Sequence, residues 1–186
     1  MDVQVLRGAR TVLRGWQADD AVPFAALNSD PIAMEFFPAP LSRVESDALI
    51  ERAQTELESR GWGLWCLEID DVCAGFVGLN VPAFEAPFTP CIEVGWRLAP
   101  RFWGRGYATE AARLALDFGF GHLRLREIVS FTTVSNWRSR RVMERLGMRR
   151  DPGEDFDHPR LAEGSSLRRH VLYRLAAVNF ESGGSC

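Results

Sequence analysis

The residues best suited to chemistry lie where an extended run gives way to a helical one, from Ile92 through Glu93, Gly95 and Arg97 to Trp103-Gly104-Arg105-Gly106-Tyr107-Ala108-Thr109. Two glycines flanking an arginine let several backbone N–H groups converge on one point. A helix opening directly afterwards adds the positive end of its dipole. That combination suits an anion of pyrophosphate size. A tight turn with no ligand is the plainer reading of the same Gly-x-Gly. A dinucleotide-binding fingerprint would need a further glycine where Thr109 stands.

The charge distribution favours the anion reading. The 186 residues carry a formal net charge of -3. Residues 97–150 alone hold 12 Arg and four acids, a formal +8, against 10 Arg and 21 acids, or -11, in the remainder. A basic third in an acidic chain fits an anionic partner; a solvated helix face is the alternative. No nucleic-acid motif accompanies the patch, so a small phosphorylated ligand is expected and nucleic acid is not.

Several chemistries drop out. All 22 basic residues are Arg, so neither a Walker A loop nor a Schiff-base lysine for pyridoxal phosphate or a carbonyl substrate is available. Cys66, Cys73, Cys91 and Cys186 form no C-x-x-C pair, and His122, His158 and His170 are scattered, so no metal is expected. The N-terminus lacks a signal-peptide pattern and no apolar run approaches the ~18 residues of a membrane span, which implies a cytoplasmic protein with reduced thiols and no membrane partner.

The elements that must position these residues follow from periodicity and punctuation. A strand is expected over 11–16, then a helix capped by Asp19 or Asp20 and running to about Leu27. Pro31 opens a second short helix reaching Glu35–Phe37. Ser42 and Glu45 form a capping box for a helix to about Arg60, with Leu49, Ala53 and Leu57 on one face. Strands over 64–69 and 74–80 flank a hairpin-like turn, and 92–98 is a further strand. A helix over 109–118, a strand over 127–133, a helix over 137–146 closed by Gly147, a surface loop over 151–166 and a strand over 170–175 complete the chain. The order gives one α+β domain over residues 1–176, a mixed, mostly antiparallel twisted sheet flanked by helices, with a disordered tail over 177–186.

Trp103-Gly-Arg-Gly-Tyr-Ala-Thr-Glu-Ala resembles the acetyl-CoA pyrophosphate loop of the GNAT N-acetyltransferases, in particular the RimJ/RimL-like branch. The superfamily's Gln/Arg-x-x-Gly-x-Gly/Ala fits in two registers, one starting at Trp103 and one at Arg101. A second stretch, Asn136-Trp-Arg-Ser139-Arg140-Arg-Val-Met143-Glu-Arg-Leu-Gly147-Met148, is similar to the family's Asn-x-x-Ser/Ala segment. The opening, with Leu13-Arg14, Asp19-Asp20, Phe24-Ala25 and Asp30-Pro31, resembles the branch's N-terminal stretch, and the likeness spans about residues 5–176.

The resemblance implies the GNAT acyl-CoA N-acyltransferase fold and direct attack of a primary amine on the acetyl-CoA thioester. Glu93 stands where many members carry their base, on the strand face shared with Gly95 and Arg97. An ion pair with Arg97 is its other reading, and Glu35 is a second candidate base. Ser139 inherits the role of thiolate acid, because Met143 occupies the position of the family's usual Tyr; a helix-capping hydroxyl is the alternative. Asn136 should bind pantetheine, or cap the helix, or both. Backbone groups of Val94, Gly95, Trp96 and Arg97 should line the cofactor arm. The phosphates should meet Arg101, Trp103–Thr109 with Arg105 among them, and Arg140 or Arg141.

For the acceptor, the branch points to Glu35, Phe36, Phe84 and Phe88, residues that could equally be core packing. Asp157 and His158 either cover that site or brace their loop. The implied function is N-acetylation of a peptide N-terminus or a small amine, by a monomer or homodimer. The reading from another class is a catalytically silent acyl-CoA-binding module.

Overall fold

The computed structural model describes residues 3–180. Two compact units make up the chain: one runs to Leu79 and resumes at Gly95–Ala115, and the other comprises Asn80–Val94 and the residues from Leu116 onward.

In the first unit, β1 (Leu6–Arg7), β2 (Val12–Arg14), β3 (Leu64–Ile69), β4 (Val72–Asn80) as far as Leu79 and β5 (Glu93–Leu98) from Gly95 onward are hydrogen-bonded in that order. The β1–β2, β2–β3 and β3–β4 pairs are antiparallel. β3 and β4 are buried almost throughout, because their sequences are near-continuous apolar runs rather than alternating ones. Asp70 and Asp71, at φ 50° and 60°, join them in a two-residue turn whose left-handed backbone matches the twist of a hairpin. Gly75 allows a close approach: a Cβ there would lie 1.9 Å from the Arg97 carbonyl oxygen.

Helices α1 (Ala21–Ser29) and α2 (Arg43–Arg60) belong to this unit. The capping box predicted at Ser42 and Glu45 is present: the Ser42 amide donates to the Glu45 carboxylate at 2.7 Å, and the Glu45 amide donates to Ser42 Oγ at 3.3 Å. Gly61 ends α2 in the left-handed conformation. Ala53 and Leu57 are buried as expected, while Leu49 is only half-buried. The short helix expected after Pro31 does not form. Residues 31–36 are turns: Asp30 Oδ1 accepts from the amides of Ile32 and Ala33 as an N-cap would, and the Met34 amide bonds to Asp30 O at 3.0 Å, but Pro38 and Pro40 disfavour helical backbone before them and lack the donors to continue it. β2 is shorter than the expected strand, and α3 (Tyr107–Asp117) starts two residues earlier than expected, directly at Gly106.

In the second unit, β6 (Glu127–Thr133) pairs in parallel with β5 at Glu93↔Val129. β6 pairs antiparallel with β9 (Arg169–Ala176) along its whole length. Two short strands, β7 (Arg149–Arg150) and β8 (Phe156–Asp157), also pair with β9. The stretch expected as plain loop over 151–166 therefore contributes β8, which carries the buried Phe156 into the core. Helix α4 (Trp137–Arg145) buries Met143 and is followed by Gly147 at φ 81°. Of the tail, Ala177–Asn179 form one helical turn tied to Arg126 by the Ala177 amide; 181–186 lie outside the described residues. Among the described residues no helix is long and apolar enough to cross a membrane.

Candidate active site

In the first unit, the glycine turn is held from both ends. Trp103 Nε1 donates to the Leu98 carbonyl at 2.7 Å, and the Trp103 amide donates to Pro100 O at 3.0 Å. These bonds fold the chain sharply at the end of β5. Gly104 and Gly106 then take φ of 74° and 83°, a region costly for side chains bearing Cβ. The Glu110 amide bonds to Gly106 O at 3.0 Å, so α3 starts at once. Helix geometry leaves the amides of Tyr107, Ala108 and Thr109 without intrahelical acceptors. Thr109 Oγ1 is buried beside them with no hydrogen-bond partner. Nothing lies within 4 Å of a Cβ built on Gly104, and Arg101 and Arg105 are exposed. This is a cradle of donors that fits a phosphate.

Arg10, which sequence reasoning did not single out, braces that cradle. Its Nη1 donates to the Arg105 carbonyl at 3.0 Å, and its backbone amide and Nε donate to Glu110 at 2.7 and 2.9 Å. Its guanidinium also lies 4.9 Å from the centroid of Tyr107. Burial works against ionisation of Glu110, but the donors from Arg10 and Thr11 outweigh it and hold the carboxyl below its usual range. With 100 residues between Arg10 and Glu110, no local signal marks the pair.

Arg97 lies on β5 in the same unit. Its Nη1 donates to Asn28 Oδ1 at 2.7 Å, and its guanidinium carbon sits 4.1 Å from the Phe37 ring centroid and 5.4 Å from that of Phe76. The Glu93 pairing is thus not where this cation is satisfied. Burial lowers its pKa to about 10, and its Nε is buried without a partner. Val94 and Leu98 are buried while Glu93, Gly95 and Arg97 are half-buried, the alternation expected of this strand. Trp96 is half-buried too. Glu35 is exposed and Phe36 half-buried in the turns after α1.

In the second unit, Glu93 is half-buried and hydrogen-bonded to Asn80. Burial pushes its pKa up to about 8, against the opposing pull of the Asn80 hydrogen bond. A carboxyl group poised there exchanges protons near neutral pH. Asn80, at the end of β4, was not anticipated.

Asn136 caps α4: its Oδ1 accepts from the Ser139 amide at 3.2 Å and its Nδ2 donates to Thr132 Oγ1 at 3.0 Å. The capping reading therefore holds, and it fixes the amide's orientation. Ser139 follows one turn later, half-buried. Arg140 is turned to bracing: Nη1 donates to Val134 O at 3.0 Å and Nε reaches the Tyr173 hydroxyl at 3.5 Å. Tyr173 donates to Glu144 at 3.0 Å. Met143, where the family's usual Tyr would stand, is 1% exposed and belongs to the core.

Phe84 and Phe88 pack against Val129, Phe131, Phe156 and Leu172, with the Phe84 and His158 ring centroids 4.6 Å apart. Burial, with His170 and Arg160 nearby, lowers the His158 pKa to about 4, so the ring is neutral at physiological pH. Phe84, Phe88, Phe131 and His158 are thus half-buried against a core of Val129, Phe156 and Leu172.

Asp20, Cys66 and Cys73 in the first unit bring their ligating atoms within 4.8 Å of one another, a grouping that spacing did not suggest. Both Asp20 oxygens already accept from Arg14, at 2.7 and 2.9 Å, and Oδ2 also accepts from the Gln17 amide at 2.8 Å. The carboxylate is committed to that guanidinium, which also places a positive charge where a cation would sit.

The strand, the glycine turn and the helix with an open N-terminus together form a site suited to a phosphate-bearing ligand. The profile described as "Acetyltransferase (GNAT) domain" matches residues 10–149. YkkB of Bacillus subtilis (strain 168) is 30% identical over 131 residues, covering 70% of this chain and 76% of that protein. A GNAT-family acetyltransferase from Bacillus anthracis superposes with a TM-score of 0.78 at 20% identity, covering 94% of this chain and 99% of that one. Mycobacterium smegmatis RimJ, solved in complex with CoA-disulfide, gives 0.74 at 18% identity over 95% of this chain and 88% of its own. The chain belongs to the GNAT acetyltransferase family, and it is an acyltransferase.

Proposed function

We propose that the enzyme moves an acetyl group from acetyl-CoA directly to a primary amine, of a peptide N-terminus or a small molecule, with no acyl-enzyme. An ammonium with a pKa near ~10 does not attack a thioester, so a proton must leave first. Glu93 takes it. The new N–C bond forms as the C–S bond breaks, and the coenzyme A thiolate departs, with Ser139 as its proton donor by family resemblance.

The cradle at Gly104–Thr109, with Arg101 and Arg105, takes the pyrophosphate. The remaining N–H of the Asn136 amide and the backbone of β5 take the pantetheine arm and the thioester oxygen. The observation that carries this reading is Glu93, a carboxyl with a neutral amide for its partner and a pKa shifted to about 8. Metal plays no part in this scheme.

The buried Met143 supports the second reading, a silent acyl-CoA-binding module, because it removes the family's usual proton donor. Thiol release from acetyl-CoA, measured over a panel of amines and peptide N-termini, decides between them. Turnover above background with any acceptor upholds the enzyme; CoA binding without turnover on any of them leaves the silent module.

A further inference from the structure

β5 carries a cation, Arg97, that no acid among the described residues neutralises. Arg14 pairs with Asp20 and Glu68, Arg150 with Asp155, and Arg174 with Glu127 and Glu154. Arg97 has the neutral amide of Asn28 and the faces of Phe37 and Phe76. Burying a guanidinium without a counter-ion is costly, and most of that cost is recovered only when an anion arrives.

The unpaired edge of the guanidinium has a defined shape. Nη1 is used by Asn28, whereas Nε is buried without any partner and Nη2 hydrogen-bonds to none of the described residues. Nε–H and Nη2–H are the parallel fork that matches the two oxygens of a carboxylate. Asn28 is 0% exposed and donates its own NH2 to Ser46 Oγ at 2.9 Å, so its carbonyl is locked towards Arg97. The plane of the guanidinium is thereby set from one side, and the Phe37 and Phe76 rings pack against it. An aspartate at position 28 would neutralise the cation at the cost of one substituent, yet the chain has the amide.

We infer that the acceptor amine also carries a carboxylate, which the Nε–Nη2 edge of Arg97 binds while Asn28 holds the guanidinium in place. This rests on the N-acetyltransferase reading and narrows its acceptor class to amino-acid-like amines. Arg97 is a specificity residue here and Asn28 a positioning one.

The test compares kcat/KM for the common L-amino acids, each beside its own carboxamide and its phosphonate analogue, by thiol release. The wild type should prefer at least one carboxylate over its carboxamide by tenfold or more. That ratio should fall to near one in Arg97→Gln and in Asn28→Asp, where the new carboxylate occupies the cation internally and should raise Tm. Equal use of acid and carboxamide by the wild type, or a preference that survives in Asn28→Asp, overturns the inference. A preference for the phosphonate over the carboxylate overturns the choice of anion. If no amine releases thiol, the transferase reading has failed on its own. A Tm shift with the free amino acids then decides: a rise seen in the wild type and absent in Asn28→Asp upholds the carboxylate site, and no rise overturns it.

Discussion

Replacing Glu93 with Gln should make the protein more stable and the enzyme worse, and the two effects have a common cause. Burial raises the Glu93 pKa from 4.5 to about 8. At about 1.36 kcal/mol per pH unit, that favours the protonated form in the folded state by roughly 5 kcal/mol. Glu93 keeps part of its surface in water, so solvent screening leaves roughly 2 kcal/mol of this. Between pH ~4.5 and ~8 the unfolded chain has lost the proton that the folded one keeps, so wild-type stability falls as pH rises through this window and levels above it. Gln cannot ionise. Glu93→Gln should therefore match the wild type below pH ~4.5 and exceed it at pH 9 by roughly 4–8 °C in Tm, at about 2–4 °C per kcal/mol for a chain of this size.

Activity should move the other way. Wild-type kcat/KM should climb with pH to an inflection near 8, as Glu93 ionises, and Glu93→Gln should lose that inflection and at least tenfold in kcat/KM. Differential scanning fluorimetry and thiol release across pH 4–9.5 supply both curves. A variant within tenfold of the wild type, or one that keeps the same inflection, refutes Glu93 as base. A variant with no gain in Tm at pH 9 refutes burial as the origin of its shifted pKa.

Arg10→Ala removes the donor to the Arg105 carbonyl and the partner of Glu110, so KM for acetyl-CoA should rise roughly tenfold, at about 1.4 kcal/mol for one charge-assisted contact, with kcat within threefold; steady-state kinetics checks this. Asn136→Ala removes the cap of α4 and should lower stability by about 1 kcal/mol in urea unfolding. Because the same amide is assigned to the pantetheine arm, Asn136→Asp, which keeps the cap, should restore stability while KM for acetyl-CoA stays raised.

The parts legible in the sequence are those governed by neighbours a few positions apart. The Ser42–Glu45 box, the Asn136 cap, and the positive-φ glycines at 61, 104, 106 and 147 each satisfy a local backbone demand, so residue type at fixed spacing announces them. The failure after Pro31 was local as well: Asp30 caps the first amides, but Pro38 and Pro40 follow within two turns and turn the chain out of the helix. β8 escaped because two residues carry no periodicity, and only β9 gives them a partner.

By itself, then, the sequence determined the family, the glycine cradle and the candidate roles of Glu93, Asn136 and Ser139, since motif and cap are written in contiguous residues. Only the tertiary structure decided what each group experiences. It joined Arg10 to Glu110 across 100 residues and Arg97 to Asn28 across 69. It also packed Phe84 and Phe88, half-buried, against the core around Phe156 and set the Glu93 proton near neutrality. Dehydration and the choice of partner are properties of the surroundings, and the surroundings are assembled from residues remote in the chain.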